Sequence, residues 1–246
     1  RAANAIAALN LKHGKEFYMV SMSARTVNYK GLLLANQVGE YYFDLLDART
    51  VSALSLVHQR FSTNTFPAWS LAHPYRYLAH NGEINTISGN RAWARARAYK
   101  YHTPLIPDLQ TAAPFVNESG SDSSSLDNML EVFVCGGMDL FRAVRLLVPP
   151  AWQQNPDMDE DLRAFYDFNS MHMEPWDGPA GIVLSDGRYA ACNLDRNGLR
   201  PARYVITQDR LITIASEVGI WDYAPDEVVE KGRVGPGQLL VIDTKN

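Results

Sequence analysis

The first third of the chain alternates in short β-prone runs. FYMVSMSA (residues 17–24) and GLLLA (31–35) flank a turn-prone Asn-Tyr-Lys-Gly and are predicted to be neighbouring strands. SALSLVHQRFS (52–62) alternates in part and predicts another, as do residues 77–81, which end at a turn. From 84 to 101 the period lengthens: Ala92, Trp93, Ala96, Ala98 and Tyr99 recur near helical spacing, with Arg91, Arg95 and Arg97 between them. Residues 103–121, rich in Pro, Thr, Ser and Gly, predict loop. A second helix is predicted over 123–134, where Leu126, Met129, Leu130 and Phe133 share a face and Gly136-Gly137 stops the run. A third covers 140–147 and ends before Pro149-Pro150, and a fourth covers 157–173 with an acidic first turn. After Pro179 the strand pattern returns at 180–184, 188–193, 202–207 and 211–216, with Ser185-Asp186-Gly187 as a hairpin signal, and 237–246 reads as a closing strand.

Strands first, helices in the middle and a meander at the end predict one α+β domain over residues 1–246, its antiparallel sheets covered by helices. With 246 residues, 46% hydrophobic and 20% charged, the chain has enough apolar material for a core without disulfides or metal. Its net charge of −4 gives no basic excess for nucleic acid or an anionic membrane, and its apolar runs are too short to span a bilayer. The two cysteines, Cys135 and Cys192, make no disulfide framework; both are expected to be buried and inert. Arg1 in place of a methionine, and a closing strand-like GQLLVIDTKN, are read as the ends of a segment cut from a longer polypeptide.

The six histidines form no metal-binding pair at helical spacing, so no metal site is expected. Gly235-Pro236-Gly237 and Gly136-Gly137 lack the lysine and context of a phosphate loop. The informative stretches are HQRFSTN (58–64), HNGEI (80–84) and ESGSDSSS (118–125). An arginine among hydroxyl and amide residues offers a carboxylate a planar fork of donors. Asn81-Gly82 is either a plain turn or a side-chain amide and a backbone N–H aimed at one oxyanion. Asp122, in a loop of small residues before a helix, is either an N-cap or an acceptor for an ammonium.

In that order these stretches resemble a known family. HQRFSTNTFPAWSLAHPYRYLAHNGEINT, with ESGSDSSSLDN, PWDGPAGIVLSDGRYAACNLDRNGLRPARY and VVEKGRVGPGQLL, is similar to the glutaminase domain of glutamate synthase large subunits, which are class II glutamine amidotransferases. The resemblance implies the αββα four-layer sandwich of N-terminal nucleophile hydrolases, two antiparallel sheets between helical layers, here without its first strand. It implies that Arg60 binds the α-carboxylate of L-glutamine, with Phe61, Ser62 and Thr63 shaping the pocket and His73 at its side. Asn81 and Gly82 would form the oxyanion hole, and Asp122, with Gly120 and Ser121, would hold the α-ammonium. The nucleophilic cysteine is then expected upstream of Arg1. The family further implies a synthase domain in the same chain, a small reductase subunit, and FMN, a 3Fe-4S cluster and NADPH or ferredoxin outside this segment. Its location would be the cytoplasm, or the plastid of a photosynthetic eukaryote. DRNGLRP (195–201) is shared with amidophosphoribosyltransferase, whose glutaminase domain is one alternative; a non-catalytic glutamine-binding or regulatory module is the other.

Overall fold

A four-stranded antiparallel sheet organises the molecule, and everything that bears on the site hangs from its first strand. The computed structural model describes residues 18–60 and 66–245. Strand β1 (Leu78–Gly82) pairs with β2 (Ala180–Ser185), β2 with β3 (Tyr189–Leu194), and β3 with β7 (Leu239–Asp243), all antiparallel. A second sheet has the order β5-β4-β6, formed by β4 (Arg203–Thr207), β5 (Ile212–Ala215) and β6 (Val228–Arg233). The expected α+β class with two antiparallel sheets is the one adopted.

Side-chain alternation sorts the strands into two interfaces. Ile182, Leu184 and Ala191 face helices and join a core with Leu126, Met129, Leu130, Ala143, Val144 and Leu147. Their neighbours Val183 and Cys192 point the other way and pack with Tyr204 and Ile214 of the second sheet. A helical layer, one sheet and the other sheet thus stack in that order.

The helices expected over 123–134 and 140–147 form close to those bounds, the one expected over 157–173 is shorter, and a short helix over 37–41 is one the pattern does not predict. Helix α1 (Gln37–Tyr41) is a single short turn; α2 spans Ile87–Arg97 and α3 spans Asp122–Cys135. Past α3, Gly137 takes φ +97° and the N–H groups of Gly136, Gly137 and Met138 bond back to the carbonyls of Val132, Val134 and Phe133, closing the last turn. Helix α4 (Leu140–Leu147) is capped by Asp139, which accepts from the N–H groups of Phe141 and Arg142. Helix α5 (Glu160–Ser170) is capped in the same way by Asp159. The β2–β3 turn uses Gly187 at φ +88°, and Asp186 accepts from the N–H groups of Arg188 and Tyr189.

Three expectations need correction. Within the described residues, the stretches 17–24, 31–35 and 52–62 form no strand. No ladder forms there, and β-propensity without a partner does not make a sheet. The helix expected from residue 84 begins at Ile87, because Ile84 is held by a side chain from α3. Cys135 is exposed rather than buried, since it ends α3 on the solvent side, while Cys192 is buried between the sheets as expected.

Candidate functional site

The site is built at the end of β1. Gly82, the last residue of that strand, has φ +154°, and a Cβ there would stand 1.8 Å from the Pro179 carbonyl oxygen. Only glycine allows that approach. The opposing Gly178 is constrained in the same way: its Cβ would lie 2.0 Å from the Glu83 carbonyl oxygen. The Glu83 N–H donates to Pro179 at 2.9 Å, so the turn after Asn81-Gly82 is clamped onto the lead-in to β2. Asn81 is exposed, and its side-chain amide has no partner among the described residues. Asn81-Gly82 is therefore a strand end held rigidly from behind, with a free amide in front.

The start of α3 meets this turn. Ser121, not Asp122, is the N-cap: its hydroxyl accepts from the Ser124 N–H at 3.1 Å. That corrects the capping role considered for Asp122, which is the first residue of the helix. Asp122 Oδ2 accepts from the Ile84 N–H at 2.7 Å, and Oδ1 from the Ser123 N–H at 2.7 Å. One residue on, Ser123 Oγ meets Nδ1 of His80 at 2.8 Å. Asn81 and Gly82 thus sit between two residues, His80 and Ile84, that are both bonded to the first turn of α3. Behind the loop, Arg91 of α2 donates to the carbonyls of Gly120 and Ser121 and to Ser125 Oγ. Gly120 is also confined, though by side chains rather than backbone: a Cβ would fall 2.3 Å from Asn117 Oδ1.

Arg60 approaches from the other side. Its backbone N–H donates to Nδ1 of His58 at 3.1 Å, and Nε2 of the same ring contacts the His80 carbonyl at 3.2 Å. The guanidinium is exposed and has no partner among the described residues. His73 stacks on His58 with ring centroids 4.6 Å apart, meets Tyr75 edge-on, and accepts the His80 N–H. Phe61, Ser62 and Thr63 lie outside the described residues. Of the sequence-predicted groups, Arg60, His73, Gly120, Ser121 and Asp122 are therefore tied by short contacts to β1, the start of α3 or their neighbours, and Asn81-Gly82 lie on β1 between two of the bonded residues. What sequence reasoning missed is the connecting set: His58, His80, Ser123, Tyr75 and Arg91.

Burial sets the protonation of that network. His73 is driven down to about 3, chiefly by desolvation and then by its histidine neighbours and Lys30. His58 and His80 are also lowered, each mainly by burial. Three neutral imidazoles therefore line the back of the site at pH 7. Lys30 stands over the rings of Tyr18 and Tyr75, donates to the Ser70 carbonyl, and is lowered to about 8 by burial. Asp127 of α3 accepts from the N–H groups of Arg76, Tyr77 and Leu78 and so fixes the entry into β1; burial raises it to about 6.

The DRNGLRP motif has a structural part. Asp195 accepts from the N–H groups of Ala180, Asn197 and Leu199, pinning the turn after β3 to the start of β2. No group of three or more His, Cys, Asp or Glu side chains among the described residues is placed to hold a metal ion.

The family described as class II glutamine amidotransferases matches residues 1–246. The glutamate synthase (NADPH) large chain of Bacillus subtilis is 49% identical over 94% of this chain and 15% of its own length. The ferredoxin-dependent glutamate synthase of Antithamnion sp. is 42% identical over 97% of this chain and 16% of its own. Among solved structures, a Bacillus subtilis glutamine phosphoribosylpyrophosphate amidotransferase aligns with a TM-score of 0.38 and 16% identity, over 68% of this chain and 27% of that one. The chain thus spans between about a ninth and a sixth of the length of the glutamate synthases it matches.

Proposed function

The chain belongs to the class II glutamine amidotransferases, and from that premise we propose that its pocket binds L-glutamine and opens the side-chain amide. Arg60 takes the α-carboxylate, Asp122 takes the α-ammonium, and the Asn81 amide with the Gly82 N–H receives the oxyanion as the carbonyl becomes tetrahedral. Gly120 and Ser121 line the ammonium side and His73 backs the pocket; Phe61, Ser62 and Thr63, next to Arg60 in sequence, are proposed as further substrate-binding residues. The observation that carries this reading is the junction at β1. His80 and Ile84, which bracket Asn81-Gly82, are bonded to Ser123 and Asp122, and His58 ties Arg60 to His80.

The attacking group in this reading is the thiolate of an N-terminal cysteine of the complete enzyme, whose own α-amine takes the thiol proton. Attack forms a thioester and expels ammonia, and water then releases glutamate. Neither cysteine here replaces it. Cys192 is buried with its thiol pushed up to about 11, and Cys135 lies at the far end of α3 from Asp122.

The relatives' names extend the proposal to glutamate synthesis: ammonia passes to a synthase domain of the same polypeptide and is reductively combined with 2-oxoglutarate. Two cysteines are fewer than the thiolates a 3Fe-4S cluster takes, and that cluster, FMN and an electron donor such as NADPH or ferredoxin are proposed for the complete enzyme. No helix among the described residues is long and apolar enough to cross a membrane, and the proposed setting is the cytoplasm or a plastid.

Steady-state glutaminase kinetics of the complete polypeptide test the reading. Arg60→Ala should raise KM for glutamine by about 10- to 150-fold, equivalent to a charge-assisted contact of about 1.5–3 kcal/mol. Asn81→Ala should instead lower kcat by about 10²–10³. An Arg60→Ala enzyme with unchanged KM would remove arginine from the binding role and the reading with it.

A further inference from the structure

β1 is an edge strand of its sheet, and on its open side no strand pairs with it among the described residues. At His80 the two outward main-chain groups are nevertheless satisfied, by two imidazoles: the N–H donates to Nδ1 of His73 at 3.3 Å, and the C=O is met by Nε2 of His58 at 3.2 Å. A carbonyl can only accept, so Nε2 of His58 carries the proton. Its Nδ1 is then the unprotonated nitrogen, as it must be to accept the Arg60 N–H at 3.1 Å. Both ring nitrogens are thus used in one neutral tautomer, and the ring plane is fixed by its stack on His73, tilted by 18°.

We propose that His58 is a positioning residue that sets Arg60 against the strand carrying Asn81 and Gly82, and so fixes the spacing between the carboxylate anchor and the oxyanion donors. This rests on the reading of Arg60 as that anchor. The imidazole does locally what another strand would do along the whole edge. It joins the Arg60 backbone to β1 at one point and leaves the guanidinium free to meet a ligand. Among the described residues His58 bonds only main-chain groups and stacks on one ring, and of these partners Arg60 is the one proposed to hold the substrate carboxylate, so the effect of losing His58 falls chiefly on Arg60. Its loss should weaken ground-state binding and spare the chemical step.

The test is a double-mutant cycle in the complete polypeptide, read as KM and kcat for glutamine. His58→Phe keeps a ring on His73 and loses both bonds. It should raise KM by about tenfold with kcat within twofold, and should add nothing in an Arg60→Ala background. His58→Asn keeps an acceptor for the N–H two residues on and should recover most of the KM, even if His58→Phe folds poorly. His58→Gln, which reaches towards the His80 carbonyl but not back to Arg60, should recover little. Additive KM effects in the two backgrounds, an unchanged KM in His58→Phe, or equal recovery by Asn and Gln would overturn the positioning role while leaving Arg60 as anchor. An unchanged KM in Arg60→Ala alone would overturn the anchor reading and this proposal together.

Discussion

His80 Nδ1 and Ser123 Oγ lie 2.8 Å apart, and both side chains are almost fully buried. Each precedes or follows a residue with a proposed role: His80 comes just before Asn81, and Ser123 just after Asp122. The bond therefore spans the pocket from behind, holding the oxyanion strand against the helix start that presents the carboxylate. Ser123→Ala removes one partner and leaves a buried imidazole nitrogen unsatisfied, which costs about 1–3 kcal/mol. The expected result is a lower denaturant midpoint together with a reduced kcat, because the spacing between Asn81 and Asp122 is no longer fixed. Equal stability of the two proteins in guanidinium titrations would show that the contact contributes nothing.

How much of this was visible in the letters follows from how local each interaction is. The cores of α3 and α4 were legible because their apolar positions repeat along a single element and their stops, Gly136-Gly137 and Pro149-Pro150, are adjacent in sequence. The β2–β3 hairpin was legible from Asp186-Gly187 for the same reason. Strand β6 was not: Glu230 on one face and Lys231 and Arg233 on the other leave it charged, exposed and without apolar alternation, and its pairing with β4 slips at Ile206/Thr207. The site shows the same division. Arg60, Asn81 and Asp122 stood out by residue type, but His58 is bonded to a carbonyl 22 positions away and Ser123 to an imidazole 43 positions away. Nothing in either neighbourhood announces that partner.

The buried histidines make the fold sensitive to acid. His58, His73 and His80 each have a lower pKa folded than unfolded, chiefly through desolvation. The unfolded chain therefore binds more protons as pH falls below the ordinary imidazole value, about 6.5, and stability falls with it. For His73 that window runs from about 6.5 down to about 3. Asp127 works the other way: raised to about 6, it takes up a proton in the folded state first and offsets about one histidine between pH 6 and 4. The net expectation is a denaturant midpoint that drops from pH 7 to pH 5, each uncompensated proton changing stability by about 1.4 kcal/mol per pH unit. His73→Phe keeps the ring stack and should flatten this slope by one proton. A midpoint that is level between pH 7 and 5 in the unaltered protein would refute the assignment of neutral, desolvated imidazoles.

Two glycines seven residues apart should respond to the same substitution with opposite signs. Gly89 lies in the first turns of α2, and a Cβ added there meets nothing within 4 Å. Gly89→Ala removes backbone freedom from the unfolded chain at no steric cost and should stabilise by about 0.5–1 kcal/mol, with glutaminase activity unchanged. Gly82→Ala places a methyl group 1.8 Å from the Pro179 carbonyl oxygen and 2.8 Å from His80 Nε2. Backbone cannot yield as a flexible side chain can, so the Glu83–Pro179 clamp must open and Asn81 must move with it. The expected cost is about 3 kcal/mol or more, with loss of kcat beyond what the fall in folded fraction explains. Thermal midpoints and active-site-normalised kcat of the two variants decide the matter, and a Gly82→Ala protein as stable and as active as Gly89→Ala would show that the turn does not hold the oxyanion donors in place.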